Sequence, residues 1–381
     1  MFYKLNKLFY TALLLPTAAL AAGVGVYACG GSHAGRAEPP DSPANANGAA
    51  RTDEGEGLED AKGDSSASEG RDGLRDSAET PQPSSPPGAL VSVGPGFPES
   101  GPWMSFYGPA SKMKDVARAA HAYRIINIDA DPDNDGESNF TDAQLEILRA
   151  GGKNKVLSYL DIGSCEKTRS YWSHAPAPFV ACGKNKAAQL GAYAGYADEM
   201  WMDPSNADYQ TLVVDFVAAR LAARKVDGFY LDNLEIVEHP KSGANGPCSA
   251  QCKQGGLDIV KRLRDKFPDS ILVMQNATGR TTRLGVTGGV RFATLLDGIA
   301  HEEVYAPRRD ANAEAELLAW KQMNIRTRTG RPFWIATEDY VGSCANERAA
   351  RDAWTRSQRN GFSPYVSDES SGQSVVCYWR F

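Results

Sequence analysis

Histidine is scarce in this sequence, with five residues in 381. The chain has neither an HExxH nor a GxSxG motif. These absences disfavour a histidine-built catalytic metal centre and the serine nucleophile of the α/β-hydrolases. Basic charge is also in short supply: 41 Lys and Arg face 47 Asp and Glu, a net charge of -6. The sequence therefore does not predict nucleic-acid binding, which needs a basic face.

Aromatic residues are nearly absent from 30–98, a segment of Gly, Ser, Pro, Ala and acidic residues with five Lys/Arg against twelve Asp/Glu. Such a composition cannot bury enough apolar surface to fold. We predict that 29–98 is a disordered acidic linker and that 99–381 is the folded domain. The remaining segment, 1–28, has the pattern of a signal peptide.

The signal-like segment places Lys4 and Lys7 before the apolar stretch LFYTALLLPTAALAAGVGVYAC. Its end, VYAC, resembles a bacterial lipobox, which predicts a lipid on Cys29 and anchoring in a membrane of the bacterial envelope. Cleavage after the small residues at 19–21, giving a secreted protein, and an uncleaved anchor are the alternatives. All three export the domain.

Six cysteines remain once Cys29 is set aside, an even number that predicts disulfide bonds in an exported protein. Six cysteines allow fifteen pairings. Proximity along the chain favours Cys165–Cys182, Cys248–Cys252 and Cys344–Cys377. The close spacing of Cys248 and Cys252 has no matching histidine pair, so zinc binding is disfavoured.

Short apolar runs alternate with amphipathic helical stretches from Trp103 onward. One helix is predicted over 205–224, with Ser205 or Asn206 as its cap. About eight strand–helix repeats in about 280 residues predict a (β/α)8 barrel of the TIM type, with a doubly wound open sheet as the alternative. The strand count stays open because 361–366 can add a strand. The strand candidates are 103–107, 124–129, 155–161, 200–203, 228–233, 271–276, 298–303 and 332–339.

Polar residues, most of them acidic, follow nearly every predicted strand. Helix capping explains single cases but not the repetition. In a β/α barrel these strand ends converge on one mouth, where active sites form. A carboxylate cluster without histidine suits acid/base and nucleophilic chemistry, as in glycoside hydrolysis. The strand-end residues are Asp129, Asp161, Glu166, Arg169, Asp203, Asp232, Glu235, Gln275, Asn276, Glu302, Glu303, Glu338, Asp339 and Tyr340; aromatic candidates for sugar contacts are Trp103, Tyr159, Trp201, Tyr305 and Tyr340.

Five stretches in this order, KVLSYLDIGSCEKTRSYW, EMWMDPSN, VDGFYLDNLE, VMQN and GIAHEEVY, resemble glycoside hydrolase family 114, the endo-α-1,4-polygalactosaminidases and their relatives. The resemblance covers most of 103–366. It implies a β/α barrel that hydrolyses α-1,4-linked galactosamine polymers with a retaining carboxylate pair. By motif, the catalytic residues fall on Asp232 and Glu302. The family's EQC is EEV here, so Glu303 replaces a glutamine and is an alternative to Glu302.

The residues alone also favour Asp232 as nucleophile and Glu302 as general acid/base. The surrounding acids would attract a cationic sugar polymer. No cofactor is required for this chemistry. A carbohydrate-binding barrel without activity and a glycosidase acting on another amino-sugar polymer are the alternatives. The predicted substrate-binding residues are Asp129, Tyr159, Glu166, Arg169, Trp201, Asp203, Asn233, Glu235, Asn276, Glu303, Tyr305, Glu338 and Tyr340.

A second motif, DPDNDGESNFTD, covers 131–142. Asp131, Asp133, Asp135 and Asp142 fall at positions 1, 3, 5 and 12 of a calcium loop. Position 12 is Asp instead of Glu, and no helix clearly precedes the loop. A structural calcium ion is therefore one prediction for this segment, and a polar connection between strand and helix is the other.

Overall fold

A computed structural model describes residues 91–97, 101–132, 140–368 and 373–381. The predicted signal peptide, Cys29 and most of the predicted linker lie outside these residues. Within the described ranges, no helix combines the length and the apolar character needed to cross a membrane.

The described residues contain thirteen strands, eight of which form one parallel sheet in the order β1-β2-β3-β7-β8-β11-β12-β13. The sheet curls so that β13 returns to β1, where the Trp103 indole N–H donates to the Ser363 carbonyl at 2.9 Å. The predicted (β/α)8 barrel is therefore confirmed. The strands are β1 Trp103–Phe106, β2 Ile125–Ile128, β3 Lys155–Asp161, β4 Ser164–Glu166, β5 Gln189–Tyr193, β6 Tyr196–Met202, β7 Gly228–Asp232, β8 Ile271–Gln275, β9 Val286–Thr287, β10 Val290–Arg291, β11 Gly298–Glu302, β12 Trp334–Tyr340 and β13 Ser363–Ser367.

One predicted barrel strand is wrong. The run 200–203 does not join the barrel, because its residues belong to β6 in a separate antiparallel sheet of order β4-β6-β5. The fourth barrel strand is therefore β7. The eighth is β13, so the segment 361–366 does add a strand to the barrel. Asp203 consequently lies in a turn, where its carboxylate accepts hydrogen bonds from the backbone and hydroxyl of Ser205 at 2.8 and 2.7 Å.

Side chains alternate between the two faces of each barrel strand, so the barrel has one hydrophobic core inside it and another between its strands and the surrounding helices. In β7, Phe229 and Leu231 pack between the barrel and its helices. Tyr230 points inward, where its ring lies 6.3 Å from that of Trp103. Trp103 also contacts the rings of Trp334 and Tyr365, at 5.2 and 5.4 Å. Large aromatic side chains thus fill the barrel interior below the mouth, and Trp103 is a core residue instead of a sugar contact.

Helices surround the barrel, and six of those in the described residues begin at a side chain that caps the first turn. Asn206 caps the predicted 205–224 helix, since its side chain accepts from the Tyr209 backbone N–H at 3.0 Å. That helix is built from α5 (Ala207–Thr211), one π-helical turn (Leu212–Val217) and α6 (Ala218–Ala223). The α-helices are α1 Ala110–Met113, α2 Val116–Ala122, α3 Asp142–Arg149, α4 Ser170–Ser173, α5 Ala207–Thr211, α6 Ala218–Ala223, α7 Ala250–Lys266, α8 Arg280–Leu284, α9 Ala311–Gln322 and α10 Glu347–Arg359; 3-10 turns are Ala150–Gly152, Lys186–Ala188, Leu234–Glu238 and Phe292–Leu295.

Residues 91–97 close the base of the barrel, at the opposite end from the mouth. The Asp297 carboxylate, fully buried, accepts from the Gly96 backbone N–H at 2.7 Å and pairs with Arg264 at 2.6 Å. The ring of Phe97 packs 4.9 Å from that of Trp334. Residues 91–97, which fall within the predicted linker, therefore pack against the barrel.

Three disulfide bonds join the pairs predicted from proximity. Cys165 is bonded to Cys182, Cys248 to Cys252, and Cys344 to Cys377. The first fastens the β4-β6-β5 sheet to the segment after α4. The third ties the final segment, 373–381, to the loop after β12. Disulfide bonds of this number agree with an oxidising compartment.

Removal of the Cys344–Cys377 bond is expected to destabilise the domain more than removal of Cys248–Cys252. A bond that closes a longer loop removes more conformational entropy from the unfolded chain. The two bonds span 33 and 4 residues. A double Cys→Ser variant at 344 and 377 should lose about 2–4 kcal/mol of unfolding free energy. Denaturant unfolding of both double variants measures the difference, and equal losses would contradict the loop-length argument.

Candidate active site at the barrel mouth

The carboxyl ends of the barrel strands surround a cleft of about 330 Å³. Its lining is polar and mostly acidic, with six carboxyl groups and, among the described lining residues, a single cation at Arg169. The lining residues are Tyr107, Asp129, Tyr159, Glu166, Thr168, Arg169, Tyr193, Tyr196, Asp198, Glu199, Asp232, Asn233, Gln275, Asn276, Glu302 and Gln373.

Asp232 and Glu302 both face this cleft from the last residues of β7 and β11. The two strands are separated by one strand, β8. Because side chains alternate along a strand, Asp232 shares the inward face of β7 with Tyr230, and Glu302 shares the inward face of β11 with Ala300. The barrel therefore brings the two predicted catalytic carboxyls to one cavity.

The same backbone turn follows three successive barrel strands. Asn233, Asn276 and Glu303 have φ angles of 61°, 59° and 54°, in the left-handed region. Asparagine tolerates this region better than most residues, whereas glutamate rarely adopts it. At β11 the turn leaves Glu302 on the cleft and Glu303 exposed, with the Glu303 backbone N–H donating to the Glu338 carbonyl at 2.7 Å. Of the two adjacent glutamates, Glu302 is thus the one that lines the cavity.

Glu302 is held by hydrogen-bond donors on both carboxylate oxygens. Asn276 Nδ2 donates to Oε2 at 2.7 Å, and the Glu302 backbone N–H donates back to Asn276 Oδ1 at 3.0 Å. The Tyr340 hydroxyl and Gln373 Nε2, the latter at 3.1 Å, donate to Oε1. These contacts fix the orientation of the carboxyl group.

Asp232 has fewer donors and a more acidic neighbourhood. The Asn233 backbone N–H donates to Oδ1 at 2.9 Å. Burial, followed by the charges of Glu235, Glu302 and Asp161, raises the pKa of Asp232 well above its usual range. Asp232 lines the cleft, and among the described residues no hydrogen bond engages its Oδ2.

Arg169 forms ion pairs with two acidic residues on the β2 side of the mouth. It is buried, donates to Asp129 Oδ2 at 2.7 Å and also donates to Glu166. Burial raises the pKa of Glu166 to about 7, against the opposing charge of Arg169. Burial also raises the pKa of Asp129, again opposed by Arg169. Asp129 and Glu166 therefore already have a cationic partner within the protein, which is Arg169.

The hairpin of β5 and β6 supplies part of the cleft that the sequence did not predict. Glu199 Oε2 lies 2.6 Å from the Ser164 hydroxyl, which also lies 2.6 Å from Asp161 Oδ2. Tyr193 donates to Glu235 Oε1 at 3.2 Å, and its ring stacks on Trp201 at 4.0 Å. Gly163 permits this arrangement, because a Cβ there would lie 1.8 Å from the Asn233 carbonyl oxygen.

Eight of the predicted catalytic and binding residues line the cleft, and the others do not. Trp201 is buried behind Tyr193. The Tyr305 hydroxyl accepts a hydrogen bond from Asn360 Nδ2 at 2.8 Å, and Tyr305 is not among the lining residues. Glu338 is fully buried in the barrel interior. Tyr340 and Glu235 lie behind the lining residues: Tyr340 is hydrogen-bonded to Glu302, and Glu235 is hydrogen-bonded to Tyr193. The eight that line the cavity are Asp129, Tyr159, Glu166, Arg169, Asp232, Asn233, Asn276 and Glu302.

The lining residues that the sequence did not predict come from four places, of which the segments after β1 and β4 supply one residue each, Tyr107 and Thr168. Tyr193, Tyr196, Asp198 and Glu199 belong to the β5-β6 hairpin, of which only 200–203 was predicted, as a barrel strand. Gln373 belongs to the segment after β13, which has no periodic pattern. The adjacent acids of ADEMWMD were the available signal, because carboxylates inside a half-exposed strand are unusual.

The predicted calcium loop falls partly outside the described residues, which exclude Asp133 and Asp135. Asp131 is buried and pairs with Arg220, whereas Asp142 is exposed and accepts from Arg224 at 3.1 Å. Across the described ranges, no group of three or more His, Cys, Asp or Glu side chains is arranged to hold a metal ion. Calcium binding by this loop stays a prediction.

Comparison with known proteins gives one relative by sequence and several by structure. No known family profile matches the chain. An uncharacterized protein of Deinococcus radiodurans is 26% identical over 275 residues, which cover 68% of this chain and 78% of that protein.

Two solved structures share the barrel. The glycoside hydrolase domain of PelA from Pseudomonas aeruginosa superposes with a TM-score of 0.53 at 14% identity, covering 73% of this chain and 98% of that domain. Aspergillus fumigatus Ega3, solved in complex with galactosamine, gives a TM-score of 0.50 at 13% identity, covering 73% and 93%. At these identities the likeness shows the fold.

Proposed function

We propose that this protein is a glycoside hydrolase that cleaves α-1,4-linked, galactosamine-containing polysaccharide. The observation that carries the proposal is the convergence of Asp232 and Glu302 on one acidic cleft at the carboxyl ends of β7 and β11. Two carboxyl groups facing one cavity are what glycoside hydrolysis requires. The resemblance of the motifs and the shared barrel of PelA and Ega3 support this choice among hydrolases.

In the proposed reaction, Asp232 Oδ2 attacks the anomeric carbon while Glu302 gives its proton to the departing glycosidic oxygen. A covalent glycosyl–enzyme forms, as in retaining enzymes. Water then attacks the anomeric carbon, Glu302 takes the proton of that water, and the bond to Asp232 breaks. Asn276, Tyr340 and Gln373 would hold Glu302 in place through both steps.

The raised pKa of Asp232 bears on this assignment, because a nucleophile must be ionised. An opposite charge within about 4–6 Å favours the ionised form of a carboxyl group. The ammonium group of a galactosamine residue bound in the cleft beside Asp232 would therefore lower the pKa of Asp232. A cationic sugar thus helps to create the nucleophile, whereas an N-acetylated sugar does not.

Hydrolysis assays on galactosaminogalactan and on its deacetylated form test this function. Reducing ends and product sizes should show cleavage of the deacetylated polymer and slower cleavage of the acetylated one. Binding of both polymers without new reducing ends would replace the proposal with a carbohydrate-binding barrel. Cleavage of a different amino-sugar polymer alone would keep the hydrolase and change the substrate.

We also propose that the domain is exported and held at a bacterial membrane by a lipid on Cys29. The disulfide bonds of the domain support export, because such bonds persist in oxidising compartments. Metabolic labelling with a radioactive fatty acid in a bacterial host should label the wild type but not Cys29→Ser. Equal labelling of both proteins, or of neither, contradicts the lipid anchor.

A further inference from the structure

We propose that Glu199, Ser164 and Asp161 share a proton, and that this unit positions Asp232 through Asn233. In this proposal Glu199 is a positioning residue whose ionisation disables the site at alkaline pH. The effect on catalysis rests on the proposed function, whereas the shared proton does not.

Proton counting at the Ser164 hydroxyl requires the shared proton. The oxygen lies 2.6 Å from both Asp161 Oδ2 and Glu199 Oε2. A hydroxyl has one hydrogen and can donate it to one carboxylate. Two ionised carboxylates at this distance from one hydroxyl would leave one short contact without a hydrogen. One of the two carboxyl groups must therefore be protonated and donate to Ser164.

The donors around the two carboxyl groups place the proton on Glu199. Asp161 Oδ1 accepts from the backbone N–H groups of Ser164 and Gly163, at 2.7 and 3.2 Å. Such bonds stabilise an ionised carboxylate. Glu199 has the weaker set, since its further donor is Asn233 Nδ2 at 3.3 Å. The resulting chain runs from the Glu199 carboxyl to the Ser164 hydroxyl and on to the Asp161 carboxylate.

Asn233 connects this chain to Asp232. Its side-chain amide donates to Ser164 Oγ at 2.9 Å, and its backbone N–H donates to Asp232 Oδ1 at 2.9 Å. Asn233 is buried and adopts left-handed backbone geometry, so its two amide groups are fixed relative to each other. Asp161 also lies opposite Asp232 in the pairing of β3 with β7. A movement of Ser164 or Glu199 is therefore transmitted to Asp232.

The titratable groups that interact with Glu199 are carboxyl groups and the tyrosines Tyr159, Tyr193, Tyr196 and Tyr209. Asp161 faces it from β3, Glu166 from β4 and Asp198 from its own strand, β6. Tyr196 and Asp232 belong to the same part of the mouth, on β6 and β7. Burial and the charge of Asp161 raise the pKa of Glu199 to about 8, opposed by the hydrogen bond between Glu199 and Ser164. The proton is thus held at neutral pH and is lost in the alkaline range.

The sign of the pH effect follows from this direction. Below about pH 8 the unit is intact, and Asn233 holds Asp232 in place. As the pH rises through this value, Glu199 ionises and two carboxylates repel each other across Ser164. We expect kcat to fall with Glu199 ionisation, by about tenfold, the factor that one hydrogen bond of ordinary strength represents.

Infrared difference spectroscopy on Glu199→Gln detects the proton directly. Glutamine keeps the shape of Glu199 and can donate to Ser164, but it has no carboxyl group. The wild-type minus variant spectrum at pH 7 should show the carbonyl stretch of a protonated carboxyl, and this band should vanish between pH 7 and 9 with a midpoint near 8. If Glu199→Gln does not fold, the wild-type minus Ser164→Ala spectrum serves, because loss of the shared hydroxyl should shift the band of Glu199 and leave those of Glu166 and Asp232 in place.

The matched control is Asp198→Asn, which removes a carboxylate one residue away that makes no contact with Ser164 among the described hydrogen bonds. The band should persist in this variant. The alkaline limb of kcat should move to higher pH in Glu199→Gln, whereas in Asp198→Asn it should move slightly to lower pH, because the charge of Asp198 helps to raise the pKa of Glu199. Absence of the protonated carboxyl band overturns the shared proton, whether or not the protein is a hydrolase. A band with no change in the alkaline limb overturns the positioning role.

Discussion

Asp232→Asn and Glu302→Gln are each expected to lower kcat/KM on deacetylated polymer by about 10³-fold or more. The first change removes the oxygen that bonds to the anomeric carbon, and the second removes the proton donor. Both are nearly isosteric, so the cleft should keep its shape. Reducing-end assays measure the loss, and thermal unfolding checks that both variants fold.

Glu303→Gln is the matched control, because this exposed neighbour of Glu302 is not among the residues that line the cleft. It should change kcat/KM less than about tenfold, since it removes one exposed charge near the site. A large loss in Glu303→Gln together with a small loss in Glu302→Gln would reverse the assignment that the geometry gives.

Azide separates the roles of the two carboxyl groups. In Asp232→Ala, azide should occupy the place of the nucleophile and give a glycosyl azide of inverted configuration. In Glu302→Ala, azide should attack the covalent intermediate without needing a general base and give the retained configuration. The opposite pattern would assign the nucleophile to Glu302 and the acid to Asp232, whose pKa the surroundings raise.

Asp297→Ala should destabilise the domain by about 3–5 kcal/mol, because it leaves the buried Arg264 without its counter-ion. The Asp297 carboxylate pairs with Arg264 at 2.6 Å and accepts the backbone N–H groups of Gly96 and Leu272 at 2.7 and 3.0 Å. Its loss also releases residues 91–97 from the base of the barrel. The melting temperature should fall by about 10 °C.

Asp265→Asn provides the comparison, since it breaks the exposed Lys261–Asp265 pair. Exposed pairs contribute about 0–1 kcal/mol, so its melting temperature should change by no more than a few degrees. Equal effects of Asp297→Ala and Asp265→Asn would show that the base of the barrel does not depend on the buried pair.

Barrel strands with inward and outward alternation were largely predictable from their residues. Strand β3 was predicted with the bounds it has, because KVLSYLD is a β-rich run that stops on an acid. The failure at 200–203 has a physical cause. MWM is as apolar as a barrel strand, since Trp201 and Met202 are buried against the outer core. Its antiparallel partners are fixed by a hairpin and a disulfide bond, neither of which periodicity reveals.

The two carboxyls of the candidate site were predictable because parallel strands end at one mouth. The residues that hold them were not. Gln373 reaches Glu302 from a segment 71 residues further along the chain, and Ser164 reaches Glu199 across 35 residues. Such contacts depend on the packing of the hairpin and of the final segment. The choice between Glu302 and Glu303 was the one detail that could have been predicted, because alternation along a strand of known register puts Glu302 on the inward face.

The proposed nucleophile can be tested most directly by mass spectrometry of the covalent intermediate. Glu302→Gln, which lacks the base for the second step, is mixed with a deacetylated galactosamine oligosaccharide carrying a fluoride leaving group, quenched in acid and digested. We predict a glycosyl adduct on the peptide that contains Asp232. Release of product with inverted configuration and no adduct on that peptide would contradict Asp232 as nucleophile.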